Sequence, residues 1–318
     1  MSSAAFAAPG DINQSHNELM TRAASALDAR DFKKAEELYT RAIDSDFGDP
    51  GGWSGRGVAR KALGKDDDAF DDYSTFVVAK QFKGFGDSQD MFYNLDLSVG
   101  YQRIAEYRLK KNDLLRAYAE SFVSVRIDKT AGEGTFALAW LTRADIQYAL
   151  GDLEQAEICL QNAQKIEPTL TRAYTQEGAR KNALKHKPFQ ETADLSAQIA
   201  IGRKAEQEGK TGEAFAVYNA MIEAQPLSDA GWLLRGSLYS RTSLPSWAID
   251  DLTTAIDVGT MTGFRNTPAA LINRAVVLYG EGKFRKAFID LEFANKLKPN
   301  DPDIMAKLAE TRLKVNSK

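Results

Sequence analysis

The chain has 318 residues, 43% hydrophobic and 27% charged, an ordinary composition for a folded protein with room for two domains. Its 41 basic and 44 acidic residues give a net charge of −3, which leaves no global basic footprint for nucleic acid, and no run approaches the roughly 18 apolar residues of a membrane-spanning helix. One cysteine, Cys159, and two histidines, His16 and His186, offer little for a disulfide, a zinc site or other cofactor chemistry, so neither a metal nor a cofactor is expected.

Residues 1–15 read as a flexible tail. The small residues Ala5 and Ala7 before Ala8 also fit the end of a secretory signal whose charged and apolar parts would precede it. Localisation follows that choice: cytoplasmic for the chain as it stands, periplasmic or secreted if residues 1–8 are a signal remnant. From residue 16 the chain repeats a helix-turn-helix unit anchored on Ala35, Ala69, Ala117, Ala156, Ala214, Ala248 and Ala287. Twelve residues before each anchor stands Ala23, Gly57, Ala105, Ala144, Gly202, Gly236 or Ala275, always small, as required where two helices of a hairpin approach closely.

Sixteen residues before the anchor a large side chain fills the next layer at Leu19, Trp53, Tyr101, Trp140, Trp232 and Leu271, with Gln198 the exception. Four residues after it come Tyr39, Tyr73, Leu160, Tyr218, Leu252 and Leu291, with Ser121 out of pattern. These offsets keep the groups on one helical stripe that must be buried. Gly64-Lys65, Asn112-Asp113, Gly151-Asp152, Gly209-Lys210 and Gly282-Lys283 mark turns, and Pro168, Pro226 and Pro299 end second helices. Cys159 falls on the buried stripe and reads as a small core residue.

Arg56, Arg235 and Arg274 each have an aspartate sixteen residues on, Asp72, Asp251 and Asp290, and the constant offset predicts an ion pair tying the two helices of a hairpin. Asp66-Asp67-Asp68 opens a helix, where acids suit the dipole better than they suit a cation site. The 14-residue excess around 82–96 carries Phe82, Phe85, Phe92 and Tyr93, read as packing under a loop before partner contact.

The anchors are 34, 48, 39, 58, 34 and 39 residues apart. The interval of 58 holds a lone helix over Leu170–Leu184, which reads as a solvating cap, and Asp303–Lys314 closes the chain in the same way. The expected organisation is a first array at 16–184 with four hairpins and a cap, a linker at 185–189, and a second array at 190–318 with three hairpins and a cap.

The motif Trp140, Ala144, Gly151-Asp152, Ala156, Ala163 and Pro168, repeated with variation seven times, resembles the tetratricopeptide (TPR) family over about residues 16–318. The resemblance implies an all-α, right-handed superhelical solenoid whose first (A) helices line a concave groove. It also implies a non-enzymatic scaffold or adaptor holding a protein or peptide. The A-helix positions expected to line that groove in the first array are Lys61, Gln102, Glu106, Lys110, Asp145, Tyr148, Arg172 and Asn182, which offer both charges, amides and a ring. The carboxylate clamp of chaperone-binding relatives is missing, with Met20, Ala24 and Gly55 at its places in the first array and Ile199, Arg203, Leu234, Ala269 and Asn273 in the second. A structural brace in a bacterial envelope or secretion assembly is the alternative, and an enzyme is disfavoured because no nucleophile, phosphate loop or metal cluster converges. Neither nucleic acid nor membrane insertion is expected, and homo-oligomerisation is left open.

Overall fold

The computed structural model describes residues 15–84, 91–130, 136–186, 189, 194–260 and 263–317. Among these residues the fold is an all-α repeat solenoid, and the chain divides into two compact units, 1–79 and 80–318. The signal-like stretch lies outside the described residues.

The first unit contains α1 (His16–Asp28), α2 (Phe32–Ser45), α3 (Pro50–Ala62) and most of α4 (Asp66–Gly84). Ser15 caps α1 in a capping box with Glu18, Asp31 caps α2, and Asp49 caps α3 with Pro50 at its first position. The second unit runs through α5 (Met91–Lys110), α6 (Leu114–Thr130), α7 (Ala137–Leu150), α8 (Leu153–Ile166) and α9 (Gln176–Ala183). It continues with α10 (Ser196–Gln207), α11 (Thr211–Ala224), α12 (Asp229–Arg241), α13 (Pro245–Gly259), α14 (Thr267–Gly280), α15 (Phe284–Leu297) and α16 (Pro302–Asn316).

The seven hairpins are α1/α2, α3/α4, α5/α6, α7/α8, α10/α11, α12/α13 and α14/α15, and all seven anchor alanines are buried. Where the residue twelve before the anchor is glycine, it faces the large one four after the anchor. A Cβ added to Gly57 would lie 2.6 Å from the Tyr73 ring, one on Gly202 2.3 Å from Tyr218, and one on Gly236 2.9 Å from Leu252. The layer sixteen before the anchor is buried from Leu19 to Leu271, while Gln198 is exposed. Two of its tryptophans repeat one bond, Trp53 Nε1 donating to the Phe47 carbonyl at 2.8 Å and Trp232 Nε1 to that of Pro226 at 2.9 Å.

Every hairpin turns through a left-handed residue five before its anchor: Arg30, Gly64, Asn112, Gly151, Gly209, Ser243 and Gly282, with φ between 57 and 89°. In each, the next N–H reaches back five residues, as from Asp31 to Ala26, Lys65 to Arg60 and Leu244 to Tyr239, which satisfies a carbonyl the ending helix would leave open. The sequence marks five of these turns with Gly or Asn; Arg30 and Ser243 adopt the same conformation without that signal.

The expected ion pairs form, each with two bonds. Arg56 donates to Asp72 at 3.0 and 2.7 Å, Arg235 to Asp251 at 2.7 and 2.8 Å, and Arg274 to Asp290 at 2.8 and 2.7 Å. Each arginine also donates to the preceding hairpin, at Thr40, Asn219 and Thr253 respectively, so one guanidinium ties three consecutive helices.

The third hairpin, the most degenerate in sequence, has α6 covered by α13. Ser98 and Ser124 exchange hydroxyl-to-carbonyl bonds of 3.1 and 2.8 Å, and Arg143 donates to Ser121, so the serines in apolar places are satisfied while letting the helices come close. The lone helix is a correction: α9 spans only Gln176–Ala183, because Thr175 caps it and residues 170–175 cross the hairpin as an extended segment. In the 82–96 insertion Phe82 packs edge-on against Phe293 at 6.4 Å, and Tyr93 lies against Gly84, where burial pushes its phenol up to about 12. Phe85 and the Phe92 side chain lie outside the described residues.

Candidate partner-binding surface

On α7, Asp145 and Tyr148 are three residues apart and share a face. The extended segment 170–175 lies across that face. Alternate residues of an extended chain point the same way, and Arg172 and Tyr174 both meet Asp145, through Arg172 Nε at 3.1 Å and the Tyr174 hydroxyl at 2.8 Å. Tyr174 also stacks on Tyr148 with ring centroids 4.7 Å apart. Burial, reinforced by the bond to Asp145, holds the Tyr174 hydroxyl protonated well above the ordinary range.

Helix α9 closes the other side. Asn182 Nδ2 donates to the Tyr148 carbonyl at 2.9 Å. Gly178 meets Tyr148 so closely that a Cβ there would lie 2.0 Å from its hydroxyl, and one on Gly151 would lie 2.1 Å from the Ala183 nitrogen. The result is a half-exposed polar and aromatic surface whose groups hold one another in place.

Four of the eight sequence-derived residues, Asp145, Tyr148, Arg172 and Asn182, therefore come together. Arg172 does so from the extended segment, which corrects its placement on an A helix. Gln102 does not face outward: it is buried on α5, and its Nε2 donates to Thr142 of α7 at 2.9 Å, stitching the two neighbouring A helices. Glu106 and Lys110, one turn apart on α5, are exposed. Lys61 belongs to the first unit and pairs with Asp66 at 3.4 Å. Tyr174 was not among the sequence-derived residues; its signal was the two-residue spacing from Arg172, legible only once that stretch is extended rather than helical.

Cys159 is buried in the core. Asp66, Asp67 and Asp68 occupy the first turn of α4, and among the described residues no group of carboxylates, histidines or cysteines could hold a metal ion. No described helix is long and apolar enough to cross a membrane.

Two family models, each described as a tetratricopeptide repeat, match residues 20–82 and 137–170. No sequence among curated proteins matches the chain. Solved structures similar to it include a tetratricopeptide repeat protein from Parabacteroides merdae, 15% identical, covering 94% of this chain and 100% of that one with a TM-score of 0.36. The C-terminal part of a TPR repeat-containing protein from Cytophaga hutchinsonii is 15% identical, with coverage of 91% and 99% and a TM-score of 0.34. The TPR2AB domain of yeast Sti1, in a complex with pHSP90, is 16% identical, with coverage of 95% and 98% and a TM-score of 0.35. None of these likenesses bears on what this chain binds.

Proposed function

Because the chain belongs to the tetratricopeptide-repeat family, whose members generally act as non-enzymatic scaffolds, we propose that it holds a protein or peptide segment on the surface formed by α5, α7 and the segment leading to α9. One observation supports this reading most: Asp145, Tyr148, Arg172, Tyr174 and Asn182 are fixed by mutual contacts while remaining partly open to solvent. A surface ordered in advance spends little entropy on binding, which suits capture of an extended or helical segment. Glu106 and Lys110, exposed on α5 one and two turns beyond the Gln102 bond to α7, would add charges of both signs to it.

The reading is tested by affinity capture from the native organism with the wild type and with Lys110→Glu/Arg172→Glu. Loss of specific proteins from the variant, with an unchanged circular-dichroism spectrum, supports it. Recovery of the same proteins in the same amounts moves the site elsewhere.

A further inference from the structure

Where α6 meets α13, charged groups fill the interior. Arg108 comes from α5, Asp113 from the turn, and Arg116 and Glu120 from α6; α13 supplies Asp250, Asp251 and Asp257. Around them stand Arg235 of α12 on Asp251, and Arg274 of α14 with its partner Asp290 of α15. Arg116 bonds Asp113 and, at 2.5 Å, Asp251, and lies 5.2 Å over the Trp232 ring. Arg108 donates to Asp250 at 3.0 Å, while its Nε stays 3.7 Å from Glu120 Oε1.

Six carboxyl groups thus face four guanidiniums. Asp113, Asp250, Asp251 and Asp290 each take close arginine contacts. Glu120 and Asp257 are the two left over: both are fully buried, and no oxygen of either carboxyl accepts a hydrogen bond. The Tyr101 hydroxyl, which accepts from Gln81 and keeps its own hydrogen to give, faces Asp257 as a single weak donor.

We propose that the α6–α13 junction is a proton-operated latch, closed while Glu120 and Asp257 are neutral acids and loosened when they lose their protons. A carboxylate sealed there gives up its hydration for one distant or weak donor, Arg108 Nε at 3.7 Å for Glu120 and the Tyr101 hydroxyl for Asp257, whereas a neutral acid forfeits far less. Burial raises both groups, Asp257 to about 7 against the pull of Arg274, then of Arg108 and the Tyr101 hydroxyl, and Glu120 well above its ordinary value against that of Arg108. Burial keeps Tyr101 protonated. Opening returns the two acids to water, where they titrate near 4. Between about pH 4 and 7 the closed state therefore holds more protons than the open one and loses ground as pH rises; below that window these groups impose no pH dependence. Opening would uncover the Asp250–Asp251 pair on α13 and the two arginines that cover it.

The test is amide hydrogen exchange on the full chain from pH 5 to 9, corrected for intrinsic exchange, following α6 and α13 against α2. The opening constant of α6 should rise by about tenfold per pH unit for each carboxyl released within the titrating window, with α2 unaffected. Glu120→Gln/Asp257→Asn should flatten that slope. A corrected α6 profile independent of pH in the wild type, or an unchanged slope in the variant, overturns the latch. Should the variant fail to fold, infrared spectra of the wild type decide instead. A protonated-carboxyl band present at pH 6.5, where ordinary carboxyls are ionised, and lost by pH 9 supports the proposal, and its absence at pH 6.5 overturns it.

Discussion

The guanidinium of Arg274 grips the carboxylate of Asp290 through two bonds of 2.8 and 2.7 Å, with both side chains at most 5% exposed. Burial nevertheless raises the Asp290 pKa, with Arg274 opposing the rise, so the pair works more as a fixed joint between α14 and α15 than as a source of net stability. Arg274→Met should cost about 3 to 5 kcal/mol, because it strands a buried acid. Arg274→Met with Asp290→Leu should recover much of that loss in a denaturant double-mutant cycle. Additive losses would show that the two groups act separately.

The turns give a second prediction. Ser243→Gly and Arg30→Gly relieve a left-handed backbone and should each raise stability by about 0.5 to 1 kcal/mol. Gly64→Ala meets nothing within 4 Å and should lose about 1 kcal/mol from strain alone, measured by thermal unfolding. Gly151→Ala should lose more, since its Cβ would strike the Ala183 backbone; equal losses would mean that α9 is not seated on α7.

Much of this architecture was legible in the sequence because it depends on fixed offsets: the anchors, the small positions opposite them and the sixteen-residue arginine spacing all recur within single hairpins. Arg30 and Ser243 show where that legibility ends, since their left-handed turns are imposed by the hairpin and not by residue preference. The repeat pattern predicts helix over 170–175, but the Thr175 cap starts α9 later, and Tyr174 and Arg172 bond instead to Asp145, a partner 27 residues away from Arg172. Glu120 and Asp257 were invisible for the same reason: their burial depends on contact between hairpins remote in sequence.

Trp140 is buried against α8 in a cluster with Ala144, Leu160 and Ala163. Trp140→Ala should cost about 3 to 5 kcal/mol. A thermal midpoint within error of the wild type would contradict its place in the layer.

Although 80–318 forms one compact unit through the α6–α13 contact, each hairpin packs chiefly on its sequence neighbours, and we further propose that 16–184 and 190–318 fold when separated. Brief trypsin treatment should cut first after Lys185, ahead of Phe189, which packs on Tyr118 with centroids 4.5 Å apart. The nicked pieces should co-elute at pH 6, held by the α6–α13 junction, and each expressed alone should be helical. Unfolded fragments would remove the two-array reading.

The scaffold claim is tested most directly by photo-crosslinking in extracts of the native organism, with the reactive side chain placed at Glu106 on α5 or at Gln161 on the exposed part of α8. The account predicts discrete adducts from position 106 that vanish when Arg172→Glu is added, and none from position 161. Adducts from 161 alone, or adducts from 106 that persist in the Arg172→Glu background, would contradict it.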